Sequence, residues 1–412
     1  MQFSQQQDEA LLAVKHWYES SSNQVFRLFG FAGTGKTTLA KHLAEGIDGD
    51  VLFAAYTGKA AHVLRKKGCD GAATIHSLIY HTRDKSTSRL KQLENDLLNL
   101  LKELAEYGQG FIDKHPKVDE LRKAINLETK NVSQPTFTRN EDSIVKDSAL
   151  IIIDECSMVG HEMGADLLYF GTPVLVLGDP AQLPPVASTG FFTENVAPDF
   201  MLDEVHRQAA ESPILRMATE VRNGNYLKLG DYGENCHVLP KGTKLDEERI
   251  LSFDQILVGK NDTRYSANTK IRRIKGIDDA YPVIGDRLVC LKNNAELGLL
   301  NGAIFNVSDV RGVMDGKVHL SVHPDDSIFS IEVAALEQHF LGRSKDLEKQ
   351  YWLRTNAQEF DYGYALTVHK SQGSQWDSVC VFDESFVFKE QRHRWLYTAI
   401  TRAAENVTII RM

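Results

Sequence analysis

The sequence predicts an α/β fold whose parallel sheets are covered by helices on both faces. Three observations carry that expectation: uninterrupted apolar strands, helical stretches alternating with them, and a glycine-rich turn between the first strand and the next helix. Residues 25–29 form the first apolar strand, 30–35 the turn, and 37–44 the start of a helix. A second buried-type strand at 51–56 precedes a helical stretch at 59–67, and two more continuous apolar runs occupy 149–153 and 173–177. Strands without polar alternation, separated by helices, mark a parallel sheet buried on both faces. In such sheets ligands bind beyond the carboxyl ends of the strands, where these polar loops fall.

An interruption separates the second and third of these apolar strands. Leu90, Leu93, Leu97, Leu100 and Leu104 recur at 3-4 spacing, giving an amphipathic helix that Gly108 and Gly110 end. A second helix is expected over 117–127, its apolar face packing in a helical hairpin on its partner or on the main domain. A partner-binding coiled coil is the less favoured alternative, since sustained coiled coils need three or four heptads. Residues 134–140 read as a short hairpin with Phe137 exposed near its tip.

A second α/β segment is expected to start near Met201, with strands at 255–258 and 378–382 and a helix at 391–401. Inside it, 283–354 combines β-type alternation with turn signals at Gly285-Asp286, Asn301-Gly302 and Asp315-Gly316, the pattern of a small all-β insertion. The organisation expected is therefore 1–79 with 147–199, a helical and hairpin insertion at 80–146, then 200–282 with 356–412, and a β insertion at 283–355.

A chain of 412 residues is long for one core, consistent with two or more domains. The five cysteines (Cys69, Cys156, Cys236, Cys290, Cys380) are scattered and form no C-x-x-C pair. This argues against a disulfide framework or zinc ribbon and fits a reducing cytoplasm. No basic segment followed by an apolar stretch opens the chain, and the apolar runs are too short to span a bilayer. A net charge of −9 opposes a basic coat over the whole surface, yet it leaves room for a local basic groove.

Gly30-Phe31-Ala32-Gly33-Thr34-Gly35-Lys36-Thr37 is a complete G-x-x-x-x-G-K-[ST] motif, placed between a strand and a helix as its chemistry requires. Its backbone N–H groups cradle phosphates, Lys36 reaches the β/γ oxygens, and Thr37 can hold Mg²⁺. Asp154 and Glu155 follow an apolar strand, Asp154 suited to Mg²⁺ and Glu155 to activating water. Gln182, in the loop Leu177-Gly178-Asp179-Pro180-Ala181-Gln182, can sense a γ-phosphate through its amide.

With that loop the ordered set of motifs resembles superfamily-one DNA helicases of the RecD-like branch, Dda-like bacteriophage helicases among them. The resemblance runs through nearly the whole chain. Gln7, in Ser4-Gln5-Gln6-Gln7, matches the position that reads adenine. Ala55-Tyr56-Thr57-Gly58-Lys59 and Thr74-Ile75-His76 resemble strand-binding loops. Leu202-Asp203-Glu204-Val205-His206-Arg207 is similar to the arginine motif, and Thr367-Val368-His369-Lys370-Ser371-Gln372-Gly373 and Tyr397-Thr398-Ala399-Ile400-Thr401-Arg402 to the last two motifs.

The resemblance implies two RecA-like P-loop motor domains and an SH3-like β insertion. It implies ATP and Mg²⁺ as cofactors, with Gly33, Thr34, Gly35, Lys36, Thr37 and Thr38 around the nucleotide. Arg207 and Arg402 would reach the γ-phosphate from the second domain; Thr57, Lys59, His76, Thr367, His369 and Lys370 would lie along the nucleic acid. Phe137 is the candidate for a base-stacking or strand-separating wedge. The activity implied is 5′→3′ translocation on single-stranded DNA and opening of duplex junctions, with replication or recombination proteins as further partners and a monomer sufficient for the cleft. A motor subunit of a recombination complex and a non-translocating ATPase switch are the alternatives. The leucine-rich segment 83–127 has no recognisable counterpart in the Dda-like pattern.

Overall fold

The structure, a computed structural model, describes residues 3–20, 22–83, 88–104, 112, 115–133, 136–185, 189–194, 196–204, 212–294, 296–324, 329–348 and 357–412. In the first half, Val25–Gly30 (β1), Val51–Ala55 (β2) and Ala73–Thr74 (β3) are followed by Tyr80–Arg83 (β4) and Thr136–Arg139 (β5), and then by Leu150–Asp154 (β6), Val174–Gly178 (β7) and Phe200–Leu202 (β8). Among the described residues, six of these strands form one sheet in the order β3-β2-β6-β7-β1-β8. Every pairing in it is parallel. All residues of β6 and β7 are buried, as a sheet covered on both faces demands.

The strand around Met201 belongs to this first sheet and does not begin the second segment. Phe29 pairs with Met201 and Gly30 with Leu202, so β8 flanks β1 up to the glycine-rich turn. Gln6 ties the same stretch to the N-terminal helix Gln5–Ser20: its Oε1 accepts from the N–H groups of Asp203 and Glu204 at 3.0 and 2.9 Å.

β4 and β5 make a separate antiparallel ribbon, with Tyr80 opposite Arg139 and Arg83 opposite Thr136. In place of the hairpin expected at 134–140, of which 134–135 lie outside the described residues, 136–139 pair with β4. Their partner strand lies on the other side of a helical excursion, and such a long-range pairing leaves no turn signal beside β5. Asp166 fixes the ribbon's base, accepting from the Tyr80 hydroxyl at 2.8 Å and from Arg139 at 3.0 Å. The excursion contains the helices Ser88–Glu103 and Pro116–Ser133, the second extending beyond the 117–127 expected. Leu104, Ile112 and Val118 pack with Leu97, Leu100 and Leu101, which makes the leucine stripe the seam of a helical hairpin.

The second half continues with Gly230–Gly233 (β9), Cys236–Leu239 (β10), Gln255–Val258 (β11), Arg287–Cys290 (β12), Ile304–Met314 (β13), Lys317–Pro324 (β14), Ile331–Leu336 (β15) and Phe360–Tyr362 (β16). Ala365–Thr367 (β17), Trp376–Asp383 (β18) and Ala403–Arg411 (β19) close the chain's order. Among the described residues, β17-β11-β18-β19-β10-β9 form a sheet that is parallel except at the β9–β10 edge. The antiparallel sheet β15-β14-β13-β12-β16 is the all-β insertion. Its fifth strand, β16, lies outside the expected 283–355 range. Three residues cannot display alternation, and β16 is recruited by Leu288 opposite Tyr362 rather than by its own pattern.

Most of the insertion's apolar residues share their core with the parallel sheet; Leu336, Leu347 and Ala357 form a small separate cluster. Val258, Ala365 and Cys380 of the parallel sheet share one apolar cluster with Leu288, Phe305, Val318 and Phe360 of the antiparallel one. A buried ion pair pins the junction: Arg272, on the helix Asn261–Ile274, donates Nε to one Asp286 oxygen at 3.0 Å and a terminal nitrogen to the other at 2.9 Å. Asp286 also accepts from the Tyr364 hydroxyl at 2.9 Å. Arg272→Ala strands a fully buried carboxylate, and is expected to lower unfolding free energy by about 3–5 kcal/mol in urea titrations. A loss below ~1 kcal/mol would mean the pair does not hold the insertion. Among the described residues no helix is long and apolar enough to cross a membrane.

Candidate active site

The glycine-rich turn lies at the carboxyl end of β1, and the helix Lys36–Leu43 starts directly from it. Gly33 and Gly35 both have φ of 81°, a left-handed backbone that lets successive N–H groups face inward. Lys36 Nζ donates to the carbonyls of Gly30 and Phe31 at 2.6 and 2.9 Å, which folds the ammonium over the loop. Gln7 is buried and donates through Nε2 to Thr34 O at 3.1 Å, so the N-terminal helix is keyed to the loop.

β6 delivers Asp154 to the same edge of the sheet, buried, with Oδ1 accepting from Glu155 N–H at 2.8 Å. Glu155 adopts φ 55°, ψ 41°, a left-handed conformation that costs a non-glycine residue about 1 kcal/mol or more. Strain of this kind persists where the surroundings over-determine it, which favours a functional reason for its position. Burial, then the Asp154 carboxylate beside it, push the Glu155 carboxyl above the usual range; Arg402 and Lys36 pull it back. Gln182 is buried, and among the described residues its Oε1 has no hydrogen-bond partner, an orphan polar atom of the sort that a ligand satisfies. Thr37 and Asp154 together offer hydroxyl and carboxylate oxygens, the hard donors that Mg²⁺ prefers, and Mg²⁺ at phosphates needs only one or two protein ligands. The donor set fits that ion.

The second domain closes over this edge. Tyr397 lies on the helix Arg392–Ile400; its hydroxyl donates to Asp179 Oδ2 at 2.7 Å and accepts from Ala32 N–H at 2.9 Å. Arg402 is buried and donates to Thr398 O, Ser374 O and Thr401 Oγ1 at 3.1–3.2 Å. The Arg222 guanidinium lies 3.5 Å from the centre of the Phe31 ring. Arg207 lies outside the described residues. Pattern alone did not single out Tyr397, Thr398, Asp179 or Arg222; the first three stood inside quoted motifs, but their partners are on the other domain.

The residues expected along a nucleic acid converge only in part. A Cβ on Gly373 would lie 3.1 Å from Thr57 Oγ1, and one on Gly58 would lie 2.6 Å from Leu300, so both glycines permit close approach. The Thr57–Lys59 turn, the 370–373 turn and the 300–302 turn of the insertion therefore meet at one place, with Lys59 Nζ 4.8 Å from the centre of the Trp376 ring. Thr57 and Thr367 cap helical turns, accepting from Ala60 N–H and Lys370 N–H. His76 meets Tyr56 edge-on and lies tilted against Tyr80, and His369 lies tilted against Phe388. Burial lowers the pKa of both histidines, which favours the neutral ring, a form suited to stacking or hydrogen bonding. Burial, and then Arg264, also lower the pKa of Lys370. The Phe137 side chain lies outside the described residues, although its backbone pairs with Thr82 in the ribbon.

Residues 2–239 match the AAA domain family, and residues 362–410 match the UvrD-like helicase C-terminal domain. The chain is similar to the ATP-dependent RecD2 DNA helicase of Deinococcus radiodurans, 26% identical over 406 residues that cover 92% of this chain and 46% of that protein. It is also similar to the conjugal transfer protein TraA of Agrobacterium fabrum, 26% identical over 324 residues, covering 70% of this chain and 27% of that protein. The chain thus spans less than half the length of these relatives. Among solved structures, Bacteroides Pif1 bound to ssDNA superposes with a TM-score of 0.53 at 17% identity, covering 99% of this chain and 92% of that one. A structure of two coordinating Pif1 helicases at forked dsDNA gives 0.55 at 18% identity, with the same coverage. At such identity the likeness is one of fold.

Proposed function

Since the chain belongs to the AAA domain family, carries a UvrD-like helicase C-terminal domain and has the RecD/Pif1-like arrangement of superfamily one, we propose that it is an ATP-driven DNA helicase. In this reading it translocates 5′→3′ on single-stranded DNA and opens duplex junctions. The observation that carries it is the cleft: a glycine-rich phosphate loop, Asp154, Glu155 and Gln182 on one sheet, facing Arg402 and Tyr397 from the other.

Phosphoryl transfer asks mainly for positioning and charge stabilisation. The backbone amides of the 30–37 turn and Lys36 hold the phosphates. Thr37 and Asp154 would hold Mg²⁺, which supplies Lewis-acid neutralisation of phosphate charge. Glu155 takes the proton of the attacking water, Gln182 orients that water and the γ-phosphate, and Arg402, with Arg207, offsets charge as the bond to the leaving oxygen lengthens. Because groups from two sheets meet on one nucleotide, binding favours the closed cleft and hydrolysis releases it. Loops at Thr57–Lys59, His76 and Thr367–Lys370 grip the strand in alternation, mostly through phosphate and stacking, so little sequence preference is expected. Phe137, on the ribbon, is the proposed wedge.

ATP hydrolysis by the purified chain, with and without single-stranded DNA across a salt series, tests this reading. Strong stimulation is expected, with apparent DNA affinity falling steeply as salt rises, at roughly 0.7 decades per decade of salt for each phosphate held. Unwinding of substrates with 5′ tails, and not of those with 3′ tails, would fix the polarity. Hydrolysis indifferent to DNA would point to an ATPase switch instead.

A further inference from the structure

The loop that carries Gln182 belongs to the first domain, yet the second domain holds it. Tyr397, 2% exposed, donates to Asp179 Oδ2 and accepts from Ala32 N–H. One residue further along the same helix, Thr398 Oγ1 accepts from Leu183 N–H at 2.9 Å. Gln372 Nε2 donates to Leu183 O at 2.8 Å. Asp179 in turn shapes the bend before Gln182: its Oδ1 accepts from Ala181 N–H at 3.0 Å and its carbonyl from Gln182 N–H at 3.1 Å. The backbone around Gln182 is therefore clasped on both sides, and among the described residues its side-chain oxygen is buried without a partner.

The same helix also sets the arginine. Arg402 donates Nε to Thr398 O at 3.1 Å, which ties its guanidinium to the turn that carries Tyr397 and Thr398. The phenol uses both its donor and its acceptor capacity, which a buried hydroxyl requires to offset desolvation. Burial and the Asp179 carboxylate hold its pKa far above the ordinary tyrosine value, so it remains a proton donor at any working pH.

We infer that Tyr397 is a positioning residue: through Asp179 and Ala32 it sets the Gln182 loop and the first half of the phosphate loop in register with Arg402. This inference rests on the cleft being the site of ATP hydrolysis. It goes beyond that reading by naming what makes the two halves of the site interdependent. Gln182 is placed for the γ-phosphate only when the domain bearing Arg402 is seated, so an open cleft is idle by construction.

Steady-state ATP hydrolysis by the full chain with saturating single-stranded DNA tests it, comparing wild type, Tyr397→Phe, Asp179→Asn and the double variant. Phenylalanine keeps the buried ring and removes only the hydroxyl. Loss of a hydrogen bond to a charged group is expected to lower kcat on the order of tenfold. The KM for ATP should stay within about twofold, since the phenol acts on the hydrolytic geometry and not on ground-state binding. Asp179→Asn should lower kcat in the same way, and the double variant should be no slower than the slower single one. Should Tyr397→Phe fail to fold, the kcat-only loss in Asp179→Asn tests the same bond from the other domain. An active wild type with Tyr397→Phe at wild-type kcat would overturn the inference alone, as would losses that multiply in the double variant or a lowered melting point with kcat intact. An inert wild type would sink the motor reading and this inference with it.

Discussion

Lys36→Ala is expected to reduce DNA-stimulated phosphate release by at least about two orders of magnitude, the usual cost of removing one preorganised charge from a transition state. Lys36 Nζ already sits on the phosphate loop, held by the carbonyls of Gly30 and Phe31. The substitution leaves the turn intact, because alanine is the best helix former and Lys36 opens the helix Lys36–Leu43. Loss of turnover should therefore come without loss of fold. Circular dichroism and phosphate release on the same preparation check both. Turnover within tenfold of wild type would remove Lys36 from the chemistry.

Glu155→Gln is the second large effect, expected to cost roughly 10²–10⁴ in kcat while ATP still binds. The amide keeps the side chain's shape in a left-handed turn that few side chains tolerate, but it cannot take a proton from water. A pH series adds a directional check. Glu155 acts as a base only when ionised, and burial with Asp154 raises its pKa. As pH falls, kcat/KM in the wild type should therefore drop at a higher pH than for an ordinary glutamate, and Glu155→Gln should lack that limb. Near-normal turnover in the variant, or an acid limb unchanged by it, would assign the base elsewhere.

Much of this was legible in the residues alone, for a physical reason in each case. Buried parallel strands need no alternation, so the apolar run ending at Asp154 announced both the sheet and the acidic loop. The glycine-rich turn was legible because left-handed backbone at Gly33 and Gly35 and a lysine at the helix start are local requirements. What stayed hidden depends on distant pairing. An apolar triplet around Met201 does not say which sheet it joins, and only the β1 register settles it. The four residues of β4 carry no apolar pattern, so β5 looked like half of a local hairpin. Tyr397 is the extreme case: its hydroxyl meets partners 218 and 365 residues away in sequence, and no spacing rule reaches that far.

The ribbon that brackets the leucine-rich helices has a consequence for how such chains diversify. Arg83 and Thr136 stand opposite each other, and Asp166, from outside the excursion, fixes the ribbon's base. The ends of the excursion are thus held at the separation of two paired strands, whatever lies between them. Loop closure is then set locally, and added or removed length changes its entropy only slowly. On this geometry the ribbon is a socket, and a chain with the helical hairpin shortened or exchanged is expected to keep the cleft's DNA-free ATP hydrolysis.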